Sequence, residues 1–102
     1  MNSSQENKIN TLLQFAYCAK KLYFGENNLI KMMNNQVRVL ILTTDISPSQ
    51  EKKYLSKANY YQVQVVRYLT KQEMGALFNK GEVACVGVSD LNMAKEIKRL
   101  AL

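Results

Sequence analysis

The chain has 102 residues, enough for one ordinary domain that buries roughly two-thirds of the surface of its unfolded chain. Hydrophobic residues make up 47% and charged residues 22% of the sequence, which excludes a disordered chain, and no apolar stretch approaches the roughly 18 residues that span a bilayer. Fourteen Lys and Arg against eight Asp and Glu give a net charge of +6, which favours a polyanionic partner but also suits any small soluble protein.

The N-terminal part of the chain predicts a long helix and a short strand. Ser3 is followed three residues later by Glu6, a capping-box pattern that predicts a helix from Ser3 to about Lys20. Leu22–Phe24 predicts a short extended edge, and Gly25 ends it. Apolar residues at spacings of three and four form one face of the helix: Ile9, Leu12, Leu13, Ala16 and Tyr17.

The middle of the chain predicts two helices and two strands. A short second helix is expected over residues 29–33. Residues 37–43 are almost continuously apolar and rich in β-branched side chains, which is typical of a central strand covered on both faces. Ser47-Pro48-Ser49-Gln50 combines a capping serine with proline at the first helical position, so a third helix is predicted there. Residues 63–68 predict the next strand.

The last third continues the alternation of helices and strands. Thr70 and Glu73 form another capping box that begins a fourth helix, and residues 83–88 predict a third buried strand. Ser89-Asp90 caps a final helix. The inward face of that helix is expected to be Leu91, Ala94, Ile97, Leu100 and Ala101. The pattern predicts one α/β domain over residues 1–102, a three-layer α/β/α sandwich with a mostly parallel or mixed four-stranded sheet and helices on both faces.

The residue types exclude most catalytic and metal chemistry. The chain has no histidine, and Cys18 and Cys85 are too isolated for a zinc site, so we expect two buried, reduced thiols and no cofactor. Asp45 and Asp90 each follow a predicted strand, which suggests either a paired-carboxylate site or, as we favour, two capping side chains. Gly25 lacks the further glycines of a nucleotide-binding loop. We therefore expect neither an enzyme nor a small-molecule substrate.

The N-terminal residues and the two cysteines predict the cellular compartment of the protein. Residues 1–8 contain no apolar segment of the kind that a secretory signal needs. Together with the expected free thiols, this predicts a cytoplasmic protein that does not contact membranes. A core closed within one chain predicts a monomer.

Residues 20–31 carry the strongest functional signal. Asn27 and Lys31 are four residues apart and share a helix face. The free amides at the helix start and nearby Lys21 form an anion site for phosphate, and the side-chain amides of Asn27 and Asn28 are suited to base edges. The alternative from the residues alone is that the asparagines cap the helix and the lysines form a solvated face.

These residues and the order of the elements resemble the kink-turn-binding L7Ae family of ribosomal proteins, particularly its small bacterial members, over nearly the whole chain. The family has Gly-x-Asn-Glu-x-x-Lys where this chain has Gly25, Asn27 and Lys31. Further similar segments are Ala19-Lys20-Lys21-Leu22, residues 39–45, residues 60–65 and Met74-Gly75.

The resemblance implies an α/β/α sandwich that inserts the start of helix two into the bent backbone of a kink-turn and reads tandem sheared G·A pairs. Asn27 and Lys31 would then bond base edges, while Lys20, Lys21 and backbone amides hold phosphates. The implied partner is structured RNA, such as a kink-turn or an internal loop of ribosomal RNA, in the ribosome or translation apparatus. The implied RNA site is Lys20, Lys21, Gly25, Glu26, Asn27, Asn28 and Lys31.

The chain departs from the family pattern in three places. Asn28 replaces the motif's Glu, a weaker acceptor for guanine N–H groups, so affinity is expected to fall roughly tenfold. Residues 80–82 are Lys-Gly-Glu where kink-turn readers place apolar side chains. Tyr23 and Phe24 replace basic residues that some relatives have before the glycine. The alternatives are that one exposed aromatic ring stacks on a base or, as we favour, that both pack inward as an edge strand. These departures leave open an alternative role as a protein-interaction or ribosome-assembly scaffold, with an interface at Tyr60 and Tyr61.

Overall fold

The order of helices and strands is the predicted one. A computed structural model describes residues 2–102. Its elements are α1 (Ser3–Cys18), β1 (Leu22–Phe24), α2 (Asn27–Met33), β2 (Val39–Leu42), α3 (Pro48–Tyr60), β3 (Gln64–Arg67), α4 (Lys71–Leu77), β4 (Cys85–Val88) and α5 (Leu91–Ala101). No helix within residues 2–102 combines the length and the apolar character needed to cross a membrane.

The four strands form one mixed sheet in the order β1-β4-β2-β3. Strands β2 and β3 are parallel, whereas β4 is antiparallel to both of its neighbours, β1 and β2. The sheet is therefore mixed rather than mostly parallel. The reason lies in the position of α4. Lys71, at the start of α4, donates its backbone N–H to Asp45 Oδ1 after β2, and its carbonyl accepts the N–H of Val83 shortly before β4. These bonds return the chain to the edge where β3 ended, so β4 runs back against β2.

Two hydrophobic clusters cover the two faces of the sheet. Alternate residues of β2 point to opposite faces. Val39 and Ile41 belong to the cluster under α1, α4 and α5, and Leu40 and Leu42 belong to the cluster under α2 and α3. All four of these β2 side chains are fully buried. This arrangement confirms the predicted three-layer sandwich with helices on both faces.

Most of the predicted helix starts are confirmed. Ser47, Thr70 and Asp90 each accept a backbone N–H bond as N-caps of α3, α4 and α5. The prediction for α1 was wrong by one residue, because Asn2, paired with Gln5, forms the capping box in place of Ser3 and Glu6. Asn2-x-x-Gln5 satisfies the same pattern, and Asn2 has the extended backbone that an N-cap requires.

The end of α1 and three side-chain orientations also differ from the predictions. Helix α1 stops at Cys18 because Lys20 has a positive φ of 60° and Lys21 N donates back to Ala16 O. Cys18 is exposed, not buried, since it lies off the stripe of buried α1 residues, whereas Cys85 is buried in β4 as expected. Tyr17 and Leu91 are 41% and 50% exposed at the ends of their helices.

Candidate functional site

Three strands end at the same edge of the sheet. Because β1, β2 and β3 run in one direction and β4 runs against them, the chain leaves β1 and β2 next to the start of β4. Gly25 N donates to Cys85 O at 3.0 Å, and Thr43 N donates to Ala84 O at 3.0 Å. This carboxyl edge is the place where open α/β sheets commonly bind ligands.

The turn into α2 is built around Gly25. Gly25 has a positive φ of 55°, a conformation that glycine adopts without strain. Glu26 is the N-cap residue of α2, and its side chain makes no capping hydrogen bond within the described part of the chain. Asn27 and Asn28 lie inside the helix instead. The alternative prediction that these asparagines cap the helix was therefore wrong.

Asn28 is completely buried, so its side chain is not available to a base edge in this structure. Its Nδ2 donates to Tyr23 O and to Gly25 O, both at 3.0 Å. Its Oδ1 is enclosed without a hydrogen-bond partner among residues 2–102 and lies 1.9 Å from where a Cβ on Gly87 would be. The expectation of a direct contact from Asn28 is corrected by this inward orientation. Asn28 joins the end of β1 to the Gly25 turn and α2.

Three other predicted residues lie on the surface around the turn. Asn27 is exposed, and Lys31 is half-buried with its Nζ 5.0 Å from the centroid of the Tyr23 ring. Glu26 Oε1 accepts a hydrogen bond from Lys53 Nζ at 2.6 Å. That bond and the Lys53 charge lower the pKa of the Glu26 carboxyl. The pair cancels the negative charge of Glu26 next to the helix start.

Lys20 and Lys21 lie at the other end of β1. Lys21 O accepts bonds from the Ser89 backbone N at 2.9 Å and from Ser89 Oγ at 3.2 Å. Ser89 follows β4, at the edge opposite to the Gly25 turn. About 13 Å of extended chain therefore separates Lys21 from Gly25. The structure groups Gly25, Glu26, Asn27, Asn28 and Lys31 together and places the two lysines apart from them.

A hollow of about 390 Å³ adjoins the Gly25 turn. It brings together β1, α3, α4 and the α4–β4 loop, which are distant in sequence. Its lining is Phe24, Gly25, Glu26, Gln50, Tyr54, Lys71, Glu82, Val83 and Ala84. Sequence analysis missed Gln50, Tyr54 and Lys71, and the only signal was that Gln50 and Tyr54 share a face of α3.

Tyr54 is a buried phenol beside this hollow, at 2% exposure. Burial first, then the nearby Cys85 and Glu26, raise its pKa to about 12. Burial likewise raises the pKa of the Cys85 thiol well above its usual value. The hydroxyl of Tyr54 is therefore a neutral group at physiological pH and is unsuited to act as a base.

We predict that alkaline pH will destabilise the protein through Tyr54. The folded-state pKa of about 12 exceeds the ordinary value of 10.0, so the stabilisation is fully present below pH 10 and is lost as pH rises towards 12. The free energy of unfolding, measured by urea denaturation at pH 8, 10 and 11, should fall less steeply for Tyr54→Phe than for the unchanged chain. Identical pH curves for the two proteins would contradict this role of burial.

Asp45 and Asp90 do not form a paired-carboxylate site. They lie at opposite edges of the sheet, because β2 and β4 are antiparallel. Asp45 Oδ1 accepts from Lys71 N at 2.8 Å, and Asp90 Oδ1 accepts from Met93 N at 2.9 Å. Both carboxylates accept hydrogen bonds from backbone N–H groups in the first turn of a helix. Within residues 2–102, no three His, Cys, Asp or Glu side chains are grouped to hold a metal ion.

Most of the chain matches a known family. Residues 7–98 fit the sequence profile of the Ribosomal protein L7Ae/L30e/S12e/Gadd45 family, and the chain belongs to that family. The chain is 31% identical over 87 residues to RNA-binding protein YlxQ of Bacillus subtilis (strain 168), covering 84% of this chain and 87% of that protein. It is 27% identical over 101 residues to RNA-binding protein YlxQ of Enterococcus faecium, covering 98% and 97% of the two chains.

Two solved structures share the fold of this chain. A protein with unknown function from Bacillus halodurans C superposes with a TM-score of 0.85 at 30% identity, covering 91% of this chain and 95% of that one. The Giardia lamblia 15.5kD RNA binding protein superposes with a TM-score of 0.77 at 14% identity, covering 98% and 92%. At 14% identity, the similarity to the Giardia lamblia protein establishes the fold alone.

Proposed function

We propose that this chain is a non-catalytic RNA-binding protein of the ribosome or translation apparatus, which binds bent, kink-turn-like RNA as a monomer. One observation carries the proposal: exposed Asn27 and half-buried Lys31 lie one helical turn apart beside the Gly25 turn, in a chain that belongs to a ribosomal protein family. Two relatives similar over most of their length are named RNA-binding proteins. The net charge of +6 favours the same partner.

The residues at the turn have different roles in this proposal. Asn27 offers both a donor and an acceptor to a base edge, and Lys31 contacts a base or a phosphate. Gly25 and Asn28 act as positioning residues, because Asn28 binds the carbonyls of Tyr23 and Gly25.

Charge complements these contacts. Lys53 holds Glu26 in an ion pair, which keeps that carboxylate from repelling phosphates. Lys20 and Lys21 contact phosphates on the part of the RNA that extends beyond the amino end of β1. Since these contacts are to the backbone, they set orientation rather than sequence preference.

Asn28 bears on specificity. Its side chain is completely buried, at the position where the family motif has a carboxylate. A missing charged hydrogen bond costs about 1.5 to 3 kcal/mol, or roughly ten- to a hundredfold in affinity. We therefore propose that the chain discriminates sheared G·A pairs less strongly and depends more on the bent shape of the RNA.

The test is titration of a kink-turn RNA and of a straight duplex of equal length across a salt series. We predict submicromolar binding that prefers the bent RNA, and a roughly tenfold or larger loss of that affinity for both Asn27→Ala and Lys31→Ala. Lys95→Ala is the matched control, since it removes the same charge from an exposed position on α5. Equal affinity for bent and straight RNA, or an equal effect of Lys31→Ala and Lys95→Ala, would overturn the proposed site.

A second candidate function is a protein-interaction scaffold. Tyr60 is 77% exposed at the end of α3 and packs edge-to-face on Tyr61 with ring centroids 4.8 Å apart. Ile30 and Met33 of α2 are also 58% and 51% exposed. A protein partner that survives nuclease treatment and is lost with Tyr60→Ser, but not with Asn27→Ala, would favour this function over RNA binding.

A further inference from the structure

Three aromatic rings form a cluster on the α1 side of the Gly25 turn. Tyr17 of α1, Phe24 of β1 and Phe78 after α4 pack edge-to-face in all three pairs. The ring centroids are 5.4 Å apart for Tyr17 and Phe24, 5.2 Å for Tyr17 and Phe78, and 5.2 Å for Phe24 and Phe78. Phe78 is buried and Phe24 is half-buried, but Tyr17 remains 41% exposed. Two partners therefore hold the Tyr17 ring in place while part of it faces solvent.

A lysine lies over the same rings. Lys80 Nζ is 4.7 Å from the centroid of Phe24 and 5.9 Å from that of Tyr17. Lys80 is exposed in the α4–β4 loop and makes no salt bridge with another residue of the described part of the chain. It also lines a surface hollow of about 600 Å³ together with Asn79, Gly81 and Glu82. A positive charge is thus held next to an accessible aromatic ring.

This combination suits one particular kind of ligand. Proteins bind unpaired nucleotides by stacking each base on an aromatic ring and pairing its phosphate with a nearby cation. Phe24 immediately precedes Gly25, so the cluster is continuous with the turn that carries Asn27. Phe24 also lines the hollow beside Gln50 and Tyr54, so the ring cluster adjoins that hollow.

We propose that Tyr17, supported by Phe24 and Phe78, is a stacking platform for an unpaired nucleotide of the bound RNA, and that Lys80 pairs with the phosphate of that nucleotide. This inference rests on the proposed RNA-binding function and extends it. It assigns the ligand class as RNA with an unpaired nucleotide adjacent to its bend.

The test compares two RNAs that differ only at the unpaired position, one with 2-aminopurine and one with an abasic site. Tyr17→Leu keeps an apolar side chain against Phe24 and Phe78 but removes the stacking face. We expect Tyr17→Leu to weaken binding of the 2-aminopurine RNA about tenfold, to leave the abasic RNA unchanged and to abolish the quenching of 2-aminopurine fluorescence. Lys80→Gln should weaken binding of both RNAs, because both retain the phosphate. Tyr60→Leu, at an exposed tyrosine on α3, is the matched control and should change neither.

The outcomes separate this inference from the proposed function. If Asn27→Ala weakens binding of both RNAs while Tyr17→Leu changes neither, RNA binding stands and the platform is overturned. An equal loss on both RNAs for Tyr17→Leu would also overturn the platform, since it would show that Tyr17 only supports the fold. If neither substitution changes binding and the bent RNA is not preferred, both proposals fail. Thermal unfolding of each variant establishes that it is folded.

Discussion

Asn28→Asp is expected to lower the free energy of unfolding by about 3 to 5 kcal/mol at pH 7. In the folded chain, Nδ2 of Asn28 donates to the carbonyls of Tyr23 and Gly25, and the whole side chain is buried. An aspartate has nearly the same shape but no donor when ionised. It would direct a carboxylate oxygen at two carbonyl oxygens in a fully buried site, where no salt bridge of residues 2–102 supplies a cation.

The effect should depend on pH with a definite sign. Burial raises the pKa of the new carboxyl above its unfolded value of about 3.9, so the neutral form is favoured on folding. The stability of Asn28→Asp is then retained below pH 4 and is lost as pH rises through the folded-state pKa. Urea denaturation of the variant and of the unchanged chain at pH 4 and pH 7 measures the difference, which should be larger at pH 7.

Asn27→Asp is the matched control for this experiment. It makes the same chemical change one residue earlier, on an exposed side chain of the same helix. Its effect on the free energy of unfolding should stay within about 0.5 kcal/mol. Similar losses for Asn27→Asp and Asn28→Asp, or a loss for Asn28→Asp that does not change with pH, would contradict the inward orientation of Asn28.

Gly75→Ala is expected to destabilise the protein by about 1 to 3 kcal/mol, although alanine is the better helix former by about 1 kcal/mol. Gly75 lies within α4, where the α4–β4 loop crosses directly over it. A Cβ at Gly75 would come 1.5 Å from Gly81 O, 2.8 Å from Gly81 C and 3.1 Å from Lys80 O. These are backbone atoms, so the whole loop must move to make room.

Gly81→Ala provides the control on the other side of the same contact. A Cβ at Gly81 would meet nothing within 4 Å, so its effect on the free energy of unfolding should stay within about 0.5 kcal/mol. Thermal and urea denaturation of both variants measure the comparison. Equal stability of Gly75→Ala and Gly81→Ala would show that the loop does not pack closely on α4.

At the Gly25 turn, the grouping of residues was predicted from the sequence, but the orientation of one side chain was not. The spacing of Gly25, Asn27 and Lys31 placed these residues together, because contacts within one helical turn depend only on local geometry. The orientation of Asn28 was predicted wrongly. It depends on the space above Gly87, which is a residue of β4 and lies far along the chain. No local pattern carries that information.

The aromatic cluster also depends on contacts between segments that are far apart in the sequence. Tyr17 was predicted to belong to the inward face of α1, and its spacing alone supports that. Its partial exposure and its contacts with Phe78 and Lys80 arise because α4 and its loop pack next to the end of α1. Likewise, the separation of Lys20 and Lys21 from the Gly25 turn follows from the direction of β1.

The resemblance around Gly25, Asn27 and Lys31 indicated the family. Local patterns in the sequence were sufficient for the order of helices and strands, most of the helix caps and the three layers. These depend on hydrophobic periodicity and on short-range hydrogen bonds, which are read within a few residues. Only the tertiary structure decided the antiparallel direction of β4, the burial of Asn28, the loop packed on Gly75 and the ring of Tyr17 beside Lys80. Each of these depends on contacts between segments far apart in the chain, whose geometry is set when the sheet is assembled.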